Sequence, residues 1–172
     1  KVSLPVSLRN YESSNAPVHD AHPGKNMKVL DGRDKASIAE AVSLLEKGEI
    51  VAFSTETVYG LGAVAYNAIA VAKIFEVKRR PHFDPLIVHL DGADRLDEYV
   101  EAIPSEAERL IEAFWPGPLT MIFRKRPVIP DIVTAGLPTV GIRVPSHPVA
   151  LDLITMLKKP LAAPSANQFG YM

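Results

Sequence analysis

The stretch "AIAVAKIFEVKRRPHFDPLIVHL" (residues 68–90) decides the fold class, because the hydrophobic period changes inside it. Residues 68–80 keep a helical period and place Lys78, Arg79 and Arg80 in the last turn, where cations suit the negative end of the helix dipole. Pro81 ends that helix, and "PLIVHL" (85–90) then has the length and β-branched character of a buried strand. The alternation continues in both directions. Upstream, "ASIAEAVSLLEKG" (36–48) spaces Ile38, Val42 and Leu45 as one helical face and stops at Gly48, and "EIVAFST" (49–55) reads as a strand. Downstream, "SEAERLIEAFW" (105–115) sets Ser105 three residues before Glu108, the capping-box spacing, and ends at the "PGP" of 116–118. "LTMIFR" (119–124) and "TVGIRV" (139–144) read as strands, "HPVALDLITML" (147–157) as a helix and "PLAA" (160–163) as a last short strand. Helices alternating with strands predict an α/β fold with a largely mixed sheet.

The 172 residues, 47% of them hydrophobic, are expected to form one domain. Residues 1–26, rich in Ser, Asn, Pro and His without sustained period, read as an N-terminal extension or a cloning remnant, and the domain is expected over 27–172. Lys plus Arg (19) nearly balance Asp plus Glu (20), which argues against a surface that is wholly a nucleic-acid footprint. No cysteine is present, so neither a disulfide framework nor a thiolate metal site exists. With no apolar run near membrane-spanning length and no secretory h-region, a soluble, cytoplasmic protein with no membrane partner is expected.

Four segments are expected beyond the carboxyl ends of strands, where open α/β sheets bind ligands: "TETVYGLG" (55–62), "KRRPHFDP" (78–85), "RVPSHP" (143–148) and "PSAN" (164–167). In "YGLGAVA", Gly60, Gly62 and Ala65 match a G-x-G-x-x-A dinucleotide fingerprint, yet "ETVY" separates them from the strand; the alternative is glycines that let a tight turn pack on the sheet. No G-x-x-x-x-G-K-[ST] occurs. Lys78, Arg79 and Arg80 read either as a solvated helix end or as phosphate ligands. Arg143 stands in an otherwise apolar strand, where an unpaired guanidinium is costly, so it should face an anion or an opening. His89 reads as a core histidine or a functional one, His147 as a residue that caps or packs at a helix start, and His19 with His22 as a pair without a third metal ligand. Ser165 and Asn167 are ordinary turn residues that can also cradle an anion; no G-x-S-x-G surrounds Ser165 to support a triad with His89.

Taken together, "STETVYGLG" (54–62), "KRRPHFDPLIVH" (78–89), "FWPGPLT" (114–120), "TVGIRVPSHP" (139–148) and "APSAN" (163–167) resemble the YrdC/Sua5 family of L-threonylcarbamoyladenylate synthases, in the family's order and spacing. The resemblance implies a YrdC-like twisted mixed sheet, flanked by helices and enclosing a large basic cavity. It also implies the conversion of L-threonine, bicarbonate and ATP, with Mg²⁺, into threonylcarbamoyl-AMP and pyrophosphate. The partners implied are the tRNA-modification machinery that moves the threonylcarbamoyl group to adenosine 37 of ANN-decoding tRNAs, and RNA directly. Carried over by position, Lys78 and Arg80 would be the catalytic pair on the phosphates, with Asp84, Thr139, Ser165 and Asn167 also on the nucleotide. Thr57, His89, Arg143 and the backbone of Ala163 would hold L-threonine, with Tyr59 lining the same pocket and no residue assigned to a metal. Position 84 is commonly Asn in the family and is Asp here, and the chain stops at "NQFGYM", where the family continues, so the domain is expected to be C-terminally incomplete. The competing reading is a module that binds nucleotide or double-stranded RNA without turnover.

Overall fold

The structure is a computed structural model that describes residues 6–9, 28–79 and 84–167. Its elements are β1 (Val6–Arg9), β2 (Val29–Asp31), α1 (Lys35–Glu46), β3 (Val51–Phe53), β4 (Gly60–Val64), α2 (Ala68–Lys78) and β5 (Ile87–His89). A 3₁₀ turn (Leu96–Glu98), α3 (Ser105–Phe114), β6 (Met121–Arg124), α4 (Asp131–Thr134), β7 (Thr139–Arg143), α5 (Pro148–Leu157) and β8 (Leu161–Ala163) follow. Among the described residues the strands form one mixed sheet in the order β2-β1-β3-β4-β8-β5-β7-β6.

The helices start and stop where local chemistry dictates. The Asp34 carboxylate caps α1 by accepting from the Ala36 and Ser37 N–H groups. Gly48 closes that helix at φ +75°, a left-handed conformation that glycine adopts without a Cβ penalty. Asn67 caps α2, and His147 caps α5 by accepting from the Val149 N–H at 3.2 Å, as its position before the helix implied. The capping box expected at α3 is not formed. Pro104, at ψ 151°, takes the N-cap position and Ser105 becomes the first helical residue, its hydroxyl donating to Glu106 instead.

Strand alternation divides the core between the two faces of the sheet. Val88, Met121, Phe123, Val140 and Ile142 point to the face packed by Val71, Ile74 and Phe75 of α2. Val51, Phe53, Leu161 and Ala163 point to the other face, beneath Ile38, Val42 and Leu45 of α1 and Val149, Leu153 and Ile154 of α5. That cover stops short of β5, β7 and β6, where Ile87 and Gly141 are only half-buried and Ile122 is 73% exposed. The uncovered part of this face is where a ligand can reach the sheet.

Two further sequence readings change. Val6–Arg9 lies in the stretch read as an extension, yet it pairs in parallel with both β2 and β3, so that stretch contributes a strand to the domain. Four residues carry too little pattern to stand out from a Ser- and Pro-rich background. The glycines of "YGLGAVA" form neither a dinucleotide fingerprint nor a turn: Gly60 and Gly62 lie within the buried strand β4, beneath the Phe53 ring. A Cβ on Gly62 would meet Phe53 Cε1 at 2.8 Å, so the glycines let one strand lie close against an aromatic ring.

Candidate functional site

The site begins where β3 ends and the chain turns through 54–59 to re-enter the sheet as β4. Thr55 knits that turn: its Oγ1 accepts from the N–H groups of Thr57 and Val58, both at 3.2 Å, and donates to the Val58 carbonyl at 2.5 Å. Thr57 and Glu56 are thereby presented to Arg143, the last residue of β7. Arg143 Nη2 lies 2.8 Å from Glu56 Oε1 and donates to Thr57 Oγ1 at 3.2 Å. The contact with Glu56 is an ion pair, and Arg143 Nε is buried without a hydrogen-bond partner of its own. Burial pushes the Glu56 carboxyl up, but Arg143 and the backbone N–H groups of Glu56 and Ser146 outweigh it and hold it below the usual carboxylate range.

His89 stands opposite Arg143 in the parallel pairing of β5 with β7. Its Nδ1–H donates to the Ile87 carbonyl at 3.2 Å, and its ring meets Phe53 edge-on at 6.1 Å between centroids. Burial, then the charge of Arg143, lowers its pKa to about 4, so the imidazole is neutral at physiological pH.

The opposite wall comes from the end of β8. The Pro164 carbonyl accepts from Leu61 N–H, and Ala166 N–H donates to the Tyr59 carbonyl at 2.6 Å, tying "APSAN" to the start of β4. Ser165 Oγ is hydrogen-bonded to the Asn167 side-chain oxygen. Between the walls lies a cleft of about 310 Å³, lined by residues that include Thr57, Tyr59, His89, Arg143, Ala163 and Ser165. An amino acid fits that volume.

The structure therefore brings Thr57, Tyr59, His89, Arg143, Ala163 and Ser165 together and leaves Lys78, Asp84, Thr139 and Asn167 outside the lining. Lys78, only 6% exposed, donates from Nζ to the carbonyls of Ser165, at 2.5 Å, and Asn167, so it braces the loop behind the cleft wall. Asp84 adjoins Pro85, which lines the cleft. Thr139 begins β7, four residues before Arg143 and so roughly 13 Å further along the same face at strand spacing. Arg80 lies outside the described residues. Arg143 is the one Lys or Arg in the described lining, and Glu56 is its counter-charge.

Sequence reasoning missed Thr55 and Glu56. The signal for Glu56 was the requirement that Arg143 find an anion, coupled with an acidic residue in a strand-end loop. The expectation that ligand segments sit at carboxyl ends also needs adjusting for a mixed sheet. Residues 84–85 precede β5 and enter at its amino end, which antiparallel pairing sets beside the carboxyl end of β8, Ile87 against Ala163. The motif "FWPGPLT" supports the site from behind: Gly117 N–H donates to the Val144 carbonyl at 2.7 Å, just past Arg143. Among the described residues no helix is long and apolar enough to cross a membrane.

Residues 43–171 match the Sua5_yciO_yrdC family, described as "Telomere recombination". The threonylcarbamoyl-AMP synthase of Pyrococcus abyssi is 49% identical over 144 residues, covering 84% of this chain and 42% of the relative. That of Bacillus subtilis is 52% identical over 134 residues, 77% of this chain and 39% of the relative. The chain thus spans about four-tenths of the length of these relatives. The crystal structure of P. abyssi Sua5 complexed with L-threonine superposes with a TM-score of 0.77 at 48% identity, covering 78% of this chain and 39% of that one.

Proposed function

Because the chain belongs to the Sua5/YciO/YrdC family, we propose that it serves as the nucleotidyltransferase domain of a threonylcarbamoyl-AMP synthase, with L-threonine held in the cleft between Arg143 and Ser165. The observation that carries this reading is the inner end of the cleft. There a guanidinium fixed by Glu56 and Thr57, a neutral histidine and the Ala163 strand end converge on a volume suited to one amino acid. The threonine complex of a relative adds support.

In the proposed reaction the threonine amine and bicarbonate form a carbamate with loss of water. A carbamate oxygen then attacks the α-phosphorus of ATP, and the bond to the bridging oxygen breaks to release pyrophosphate. No enzyme nucleophile is needed, so the protein contributes positioning and charge. Arg143 takes the threonine carboxylate, the neutral His89 packs beside it without adding charge, and the Ser165–Asn167 loop, braced by Lys78, faces the nucleotide. Arg80 is assigned to the phosphates by its place in the motif. Among the described residues no group of three or more His, Asp or Glu side chains is placed to hold a cation. Mg²⁺ therefore belongs in this proposal to the triphosphate substrate. The product would pass to the tRNA-modification machinery. A nucleotide- or RNA-binding role without turnover has no comparable support, since the relatives at 49% and 52% identity are named threonylcarbamoyl-AMP synthases.

The test is pyrophosphate release by this chain with ATP, Mg²⁺ and bicarbonate, with and without L-threonine. Release that requires both threonine and bicarbonate is expected. Release that ignores threonine, or none, would sink the proposal.

A further inference from the structure

The inner end of the cleft holds one full positive and one full negative charge within 2.8 Å, both on side chains that are mostly buried, 10% exposed for Arg143 and 19% for Glu56. Glu56 is not itself among the described cleft-lining residues, and its carboxylate is directed at Arg143. Its influence on a ligand therefore runs through Arg143 and through its field. We propose that Glu56 is a specificity-determining residue: by cancelling the charge of Arg143, it makes the cleft take a zwitterionic α-amino acid and disfavour a carboxylate that lacks an ammonium group. The inference rests on the threonine reading above.

The physical basis is the cost of uncompensated charge away from water. Among the described residues the inner end is close to neutral as a unit, because Arg143 and Glu56 offset each other and His89 is uncharged at neutral pH. Lys78 does not line the cleft and directs its ammonium to the Ser165 and Asn167 carbonyls. A zwitterion entering such a place leaves it neutral, whereas a simple carboxylate leaves one unbalanced negative charge. Without Glu56, the exposed face of Arg143 would be an unpaired cation that welcomes any carboxylate. Specificity of this kind comes from penalising the wrong ligand as much as from rewarding the right one.

The experiment is calorimetric titration of the full chain with L-threonine and with 3-hydroxybutyrate, which has the same carbon skeleton without the amine. The wild-type chain is expected to prefer threonine by roughly tenfold or more, and Glu56→Gln to narrow that preference by about tenfold, chiefly through tighter 3-hydroxybutyrate binding. Glu56→Asp, which keeps the charge, is expected to retain the preference. Equal binding of the two ligands by the wild-type chain overturns the proposal whatever the variants do, including a Glu56→Gln chain that fails to fold. Threonine binding with an unchanged preference in Glu56→Gln overturns this proposal alone. Absence of threonine binding to the wild-type chain overturns the threonine reading and this inference together.

Discussion

At the inner end of the cleft, Arg143 and His89 project from strands that pair in register, and the loop that meets them is knotted by Thr55. At the rim, Lys78, Ser165 and Asn167 hold one another through hydrogen bonds that run largely to loop carbonyls. The first arrangement fixes charged side chains by sheet geometry. The second fixes a backbone segment by a charged side chain. The difference suggests a division of labour in which the inner end selects the small ligand and the rim shapes the surface that meets the larger one.

The most severe break is Arg143→Ala. It removes the proposed carboxylate ligand and is expected to lower threonine-dependent turnover by roughly a hundredfold or more. It also leaves Glu56 as a buried, unpaired carboxylate, a loss of about 3 kcal/mol measurable by urea denaturation. Adding Glu56→Gln should recover much of that stability without recovering turnover, which separates folding from function.

The pH dependence of stability tests the same end through His89. The folded protein holds this imidazole at about 4, mainly by burial, while the unfolded chain titrates near ~6.5. Between those values the unfolded state binds a proton that the folded state refuses. Stability is thus undiminished above about pH 6.5 and falls by about 3 kcal/mol on descending to pH 4. His89→Gln should flatten that part of the profile in denaturant titrations, and an unchanged slope would place the imidazole in a wetter setting. Glu56, held below the usual carboxylate range, adds its own loss as the pH falls from that ordinary range to its lowered folded value.

A milder perturbation reaches the inner end through packing. Gly62→Ala sets a Cβ against the Phe53 ring, which is fully buried and in edge contact with His89. A cost of about 1–3 kcal/mol is expected in thermal or chemical denaturation. At the rim, Lys78→Met should free the Ser165–Asn167 loop and raise the KM for ATP about tenfold, worth ~1.4 kcal/mol, while the Kd for threonine alone, read by calorimetry, rises by a clearly smaller factor. Equal effects on both ligands would erase the distinction between the two regions.

Much of this was legible in the chain itself. The change of period across residues 68–90 and the buried runs around it set the α/β class, and five motifs indicated the family. Arg143 stood out because a guanidinium in an apolar strand demands an anion. That the anion is Glu56 depends on how the 54–59 turn folds back, a long-range fact that local pattern does not encode. Gly60 and Gly62 misled because glycine serves turns and close-packed strands alike, and only the position of Phe53 distinguishes them. Thr139 shares a strand with Arg143, and four residues of rise set it outside the described lining.

The most direct test is a crystal structure of this chain with L-threonine bound. The account predicts the threonine carboxylate in the cleft within hydrogen-bond distance of the Arg143 guanidinium, near Thr57 and opposite the Ala163 strand end. Threonine bound elsewhere, or in the cleft with its carboxylate turned away from Arg143, would contradict it.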